Sequence, residues 1–181
     1  MIFVDDIDRL SLFVMEENEY YDLDEVFGVR FLISKQADKR EINSNKRAAY
    51  AILSSFPVST VVINAHSTQK GIKNPEYTIN GIPGDRKGVM SEKGITAGFK
   101  SAKRQGCKAI VIDLDEHIGA VRSFELSKYI SRRKADFVNG IISACYVVFK
   151  GKAVLVSPAS QNREEIAQIL EKLKPQVSAA S

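Results

Sequence analysis

The chain has 181 residues, 44% of them hydrophobic and 27% charged, an ordinary balance for one soluble globular domain and a short length for two. No apolar stretch approaches the roughly 20 residues a membrane-spanning helix needs, and two cysteines, Cys107 and Cys145, make neither a disulfide framework nor a zinc cluster. The formal net charge of +4 hides an asymmetry, because residues 1–38 carry ten acidic and three basic side chains and residues 39–181 carry 12 and 23. A basic body of this kind suits a polyanionic partner such as nucleic acid. The first ten residues contain three aspartates and no basic leader, which predicts no secretory signal. The cysteines read as buried thiols of a reducing cytoplasm.

Residues 5–26 mix acids with Leu10, Phe13, Val14, Tyr20 and Tyr21 at roughly helical spacing, and a short acidic helix is expected there. An apolar strand, Val29 to Ile33, follows, and Ser34 to Arg40 is a polar connection. Residues 1–38 are thus an acidic N-terminal segment, and 39–174 the main α/β domain. A helix is predicted from Glu41 to Phe56, with Ile42, Ala49, Ile52 and Phe56 as its buried stripe and Pro57 as its stop. Thr60 to Asn64 is a β-branched strand, and His66 to Asn74 a polar loop.

The stretch from Asn74 to Lys87 reads as a hairpin turning on Asn80-Gly81, the strongest short-range signal for a two-residue type I′ turn. With that turn, cross-strand partners have numbers summing to 161, and Glu76 lies opposite Asp85. Side chains so opposed have Cβ atoms about 4.5–5.5 Å apart, and like charges there destabilise the sheet. A cation is therefore required nearby, and Lys87, two residues beyond Asp85, shares its face. Acid, acid and lysine around a divalent-metal position is the chemistry of phosphodiester cleavage. A cross-strand salt-bridge patch without chemistry is the competing reading. A bulge at Pro83-Gly84 would break the opposition.

Ser91 is the expected N-cap of a helix reaching Gln105, which Gly106 ends. Lys100, Lys103 and Arg104 stand at i, i+3 and i+4, one face that can grip phosphates. Lys108 to Leu114 is a continuously apolar, fully buried strand. Asp113-Leu114-Asp115-Glu116-His117 reads as a solvated strand-to-helix turn. A helix over Gly119 to Arg133 follows; the basic run at Arg132 and Arg133 suits either a solvated helix end or a nucleic-acid contact. A second hairpin joins Ile141–Phe149 to Ala153–Val156 around Lys150-Gly151-Lys152. A helix capped by Asn162 runs to Leu173, and Pro175 to Ser181 is a tail. The alternation predicts a single α/β layered domain with a central mixed sheet flanked by helices.

The set Glu41, Pro75-Glu76-Tyr77, Asn80-Gly81 and Asp85-Arg86-Lys87 resembles the PD-(D/E)xK nuclease superfamily. It is similar in particular to the tRNase-type toxin domains at the C-termini of contact-dependent growth inhibition and phage head-associated proteins. The resemblance spans roughly residues 39–156. It implies a restriction-endonuclease-like core acting on nucleic acid, RNA (tRNA included) before DNA, and a cognate inhibitor protein as partner. It implies one Mg²⁺ held by Glu41, Glu76 and Asp85, with Lys87 orienting the attacking water or stabilising the pentacovalent charge, and Gln105 in support. Glu76 stands where the family more often has aspartate. A metal-free attack by an RNA 2′-hydroxyl, using His66 and Lys87, is the alternative within the same family. A module of this fold that binds nucleic acid or a partner without turnover is another. A third is an interaction protein in which the acidic residues 5–26 dock on a partner or fold over the basic groove as an intramolecular decoy.

Overall fold

A computed structural model describes residues 20–69, 72–117, 122–160 and 162–174. Eight strands form one mixed sheet in sequence order: β1 (Tyr21–Asp24), β2 (Gly28–Ser34), β3 (Val61–Ile63), β4 (Tyr77–Ile79), β5 (Ile82–Gly88), β6 (Ala109–Asp113), β7 (Ala144–Phe149) and β8 (Lys152–Val156). Helices α1 (Ile42–Ser55), α2 (Lys93–Gln105), α3 (Ser123–Ser131), α4 (Lys134–Val138) and α5 (Arg163–Glu171) join or follow them. β2–β3, β5–β6 and β6–β7 pair parallel, and the other neighbours antiparallel. The expected α/β domain with a central mixed sheet is therefore the observed one.

Two cores sandwich the sheet. On one face α1 buries Ala48, Ala49, Ala51, Ile52 and Leu53 against Phe31, Val61, Tyr77, Ile79, Val111 and Val148. Its three alanines have little side chain to hold the helix away from the sheet. Ile42 and Phe56, expected in the buried stripe, are only partly covered. On the other face Ile110, Ile112, Cys145 and Val147 pack with Ile95, Phe99, Leu126, Ile130, Phe137, Ile166 and Leu170 of the remaining helices. β6 lies between two parallel neighbours with both faces covered, and all five of its residues are buried. That is the arrangement a continuous apolar run predicts.

The Asn80-Gly81 turn forms as read. Both residues have positive φ, 50° and 76°, the type I′ geometry for which glycine at the second position is suited. The register is Tyr77↔Gly84, Thr78↔Pro83 and Ile79↔Ile82, so partners sum to 161 and no bulge interrupts the strand. Pro83 is tolerated because in a two-residue hairpin this second pair is the non-hydrogen-bonded one, where no ladder N–H is needed.

The first correction concerns the N-terminal region. Tyr21–Asp24 is a strand, paired with β2 from Tyr21↔Ser34 to Asp24↔Gly28, not the end of a helix. Asp24 turns the chain locally, its Oδ1 accepting the N–H groups of Val26 and Phe27 at 2.9 and 3.0 Å. Its other oxygen accepts from the Tyr50 hydroxyl on α1. The part of that predicted helix before residue 20 lies outside the described residues, as does the tail from Pro175. The helix placed over 119–133 is also corrected. α3 begins at Ser123, stops at Ser131 and is followed by the short α4; residues 118–121 are not described. Among the described residues no helix is long and apolar enough to cross a membrane.

Helix α2 sits close to the site because Gly98 has no side chain. A Cβ there would lie 3.2–3.3 Å from Ile112 Cδ1, Ile110 Cδ1 and Lys87 Cβ. Gly98→Val should therefore overpack the interface and destabilise the fold by about 1–3 kcal/mol, read as a lower urea midpoint. An unchanged midpoint would show that α2 can shift freely.

Candidate active site

Successive β5 residues point to opposite faces of the sheet, and this alternation builds the site. Asp85 and Lys87 face α2, whereas Arg86 faces α1. Asp85 is 6% exposed and lines the same cleft as Ser101 of α2, which favours its charged form. Glu76, immediately before β4, continues the 161 register opposite Asp85, and its Oε2 accepts the Arg86 backbone N–H at 3.1 Å. Lys87, toward the carboxyl end of β5, is exposed.

These residues share a cleft of about 270 Å³ with Glu41 and Asn45 of the α1 end, Asn64 and His66 after β3, Asn74 and Pro75, and Ser101, Arg104 and Gln105 of α2. The loop wall is pinned by side-chain amides. Asn64 Nδ2 donates to the Pro75 carbonyl at 3.0 Å. Asn74 bridges both ways to the Ser67 backbone, and its own N–H donates to Gln105 Oε1 at 3.3 Å. A smaller adjoining recess of about 220 Å³ is lined by Glu41, Glu76, Arg86, Lys87, Gly88 and Glu116.

On the α1 side Arg86 is the hub. Its Nε donates to Asn45 Oδ1 at 2.7 Å and one terminal nitrogen to Asp113 Oδ2 at 3.0 Å. The other pairs with Glu41. Asp113, fully buried, also receives Arg47 at 3.0 Å, and Arg47 reaches Asp115 at 2.7 Å. The buried Tyr77 hydroxyl donates to the Asn45 carbonyl at 2.8 Å. Asn45, Arg47, Arg86 and Asp113 were not singled out as site residues from the sequence. The usable signal for Arg86 was the alternation itself, which forces the residue between Asp85 and Lys87 into the opposite core.

The turn around Asp113 to His117 is solvated in part, at the exposed Glu116 and the half-buried Asp115, but not at its two ends. Asp113 is inaccessible, and the His117 side chain is 3% exposed, with Nε2 3.9 Å from Glu92. Of the α2 cations, Arg104 lines the cleft, Lys103 pairs with Asp136 at 2.8 Å, and Lys100 is exposed. Gln105 lines the cleft beside Arg104. Arg132 stacks over the Tyr129 ring at 5.5 Å, and Arg133 lies at the N-terminus of α4.

Burial and the facing Asp85 push the Glu76 carboxyl up from its ordinary 4.5 to about 7, and burial also raises that of Asp85 in spite of Ser101 and Lys87. A buried and a half-buried carboxylate that repel each other make a donor set suited to a hard divalent cation, which commonly uses one or two carboxylates and retains several waters. Glu41 is held by Arg86, and among the described residues no group of three or more His, Cys, Asp or Glu side chains is arranged around a metal position.

Two outcomes follow from these charges. A Glu76 carboxyl that titrates near 7 when folded and near 4.5 when unfolded binds its proton more tightly in the fold. Stability must then decline as pH rises from about 4.5 to 7. Glu76→Gln should remove that decline and gain on the order of 2 kcal/mol at pH 8, measured by urea unfolding across pH; parallel profiles for the two proteins would refute the assignment. Asp113→Asn should cost about 3 kcal/mol or more, because it leaves the buried Arg86 undercompensated. A loss below about 1 kcal/mol by the same measurement would demote the network to a minor contributor.

No family model matches this sequence, and no curated protein matches it. A chain of a solved structure described as "CdiA-CT/CdiI toxin and immunity complex from Burkholderia pseudomallei" is similar to it, at 20% identity and a TM-score of 0.46, over 66% of this chain and 86% of that one.

Proposed function

We propose that the cleft hydrolyses phosphodiester bonds of nucleic acid with the help of one Mg²⁺, RNA, tRNA included, being the favoured substrate over DNA. The observation that carries this reading is the opposed pair of the half-buried Glu76 and the buried Asp85 on the α2 face, with Lys87 on the same strand face and Arg104 across the cleft. Glu76 and Asp85 would hold the ion. When bound, it would polarise the phosphoryl oxygen and lower the pKa of an attacking water.

The chain's own groups supply the rest. Lys87 is placed to orient the nucleophile or to meet the charge that develops on the phosphoryl oxygens. Arg104 is positioned to hold a neighbouring phosphate. Gln105, its Oε1 accepting the Asn74 N–H, would support the ligand from the cleft wall. Arg86 neutralises Glu41 and Asp113 and delivers its backbone N–H to Glu76, which orients that carboxylate.

A second reading has its own support. Because Glu41 is already committed to Arg86, the same cleft would also suit a module that binds nucleic acid without turnover. A cognate inhibitor protein belongs to the toxin-like context of the first reading.

The two readings separate on incubating the protein, Asp85→Asn and Lys87→Ala with total tRNA and with plasmid DNA, in Mg²⁺ or EDTA. Metal-dependent hydrolysis predicts cleavage that EDTA abolishes and that either substitution lowers by at least about 100-fold. Cleavage that survives EDTA yet needs Lys87 would overturn the metal role. Binding with no cleavage in any arm would establish the second reading.

A further inference from the structure

Strand β8 is an edge of the sheet, with β7 on one side and, among the described residues, no strand on the other. Lys150 and Gly151 between them have positive φ, 46° and 75°. A two-residue turn of this kind makes Phe149 and Lys152 exchange ladder bonds. The alternation of an antiparallel ladder then points the N–H and C=O groups of Ala153 and Leu155 outward. Ser55 at the end of α1 confirms that direction, its Oγ accepting the Ala153 N–H at 2.8 Å. The N–H and C=O of Leu155 take no partner among the described residues.

This edge lies in a groove of about 630 Å³. Phe56 stands at the margin of the core under α1, and Ile169 of α5 at the margin of the opposite core. Both line the groove beside Leu155, so the layers on the two faces of the sheet wall the edge of β8. Apolar walls around unpaired backbone groups are what an added strand uses. The groove shares no lining residue with the cleft of Glu76 and Asp85.

Charge selects the occupant. The exposed Lys152 and Lys172 line the groove, and no acidic side chain does. Pairing with the same edge of a second copy would bring four lysines together. Residues 175–181 carry no acidic side chain to meet them. We propose that β8 accepts, as a ninth strand, an extended segment of another protein in which acidic side chains alternate with apolar ones. The backbone of that segment pairs with Leu155, its apolar side chains meet Phe56 and Ile169, and its acids meet Lys152 and Lys172. The docking does not rest on the nuclease reading, and its test reads no cleavage.

The probe is a fluorescein-labelled eight-residue peptide alternating glutamate and valine, followed by anisotropy and by amide hydrogen exchange under NMR. In the free protein the Leu155 amide should exchange faster than those of Val154 and Val156, which face β7. At ten times its Kd the peptide should slow Leu155 exchange by about tenfold. Lysine in place of glutamate in the peptide, or Lys152→Glu with Lys172→Glu in the protein, should weaken binding by about tenfold. No binding would overturn the proposal and leave Lys152 and Ser55 as guards of a closed edge. Binding that leaves Leu155 exchange unchanged would also overturn it, since the peptide then sits elsewhere on a basic protein. So would a Leu155 amide protected without peptide. At every protein concentration this means that the chain covers its own edge, and only at high concentration that a second copy does.

Discussion

The buried guanidinium of Arg86 is the constraint on which the rest depends. Removing such a charge from water is costly unless its donors are met. They are met by Glu41 at the end of α1, Asn45 within it and Asp113 at the end of β6. One side chain on β5 thus ties a helix and two central strands together. A register slip of one residue would turn Arg86 toward α2 and move Asp85 and Lys87 into the apolar α1 core. The pairing that protects Arg86 is therefore the same one that delivers the two site residues to the cleft.

How legible this was in the sequence depended on whether the signal was local. The hairpin was readable because Asn80-Gly81 sets turn type and register within a few residues, and the structure keeps that register through Pro83-Gly84. The β6 run Ala109 to Asp113 was readable for its continuous apolarity. Strand β1 was misassigned because Tyr20-Tyr21-Asp22-Leu23-Asp24 satisfies a two-residue alternation as well as a helical one. What decides it is the pairing with β2 and the Tyr50 bond to Asp24, neither of them local. Asp113 was misread for a like reason. In isolation Asp-Leu-Asp-Glu-His looks polar, and the two arginines that make its burial tolerable come from residues 47 and 86.

The acidic N-terminal segment also divides differently from the charge count. Residues 21–34 are two strands of the common sheet, so the acids of that stretch serve local structure. Asp24 caps a turn and meets Tyr50, and Asp22 stands 4.0 Å from Lys35. A net charge over 38 residues mixes these structural acids with those of residues 1–19, which lie outside the described residues.

The two faces of β5 differ in their electrostatic balance, and that difference separates acids held by cations from acids that are not. Toward α1, Arg86 and Arg47 contact Glu41, Asp113 and Asp115 directly, so each carboxylate has a cation in contact. Toward α2, Glu76 and Asp85 oppose each other, and no ion pair at comparable range is formed by either among the described residues. Lys87 and Arg104 act on Asp85 only through space. Burial, and for Glu76 the facing Asp85 as well, makes both carboxyls hold their protons more strongly. A fold selected for stability alone would replace one of these acids, since the repulsion weakens it at neutral pH. Their place in a cleft beside an exposed lysine is the feature on which our proposal of a cation site rests.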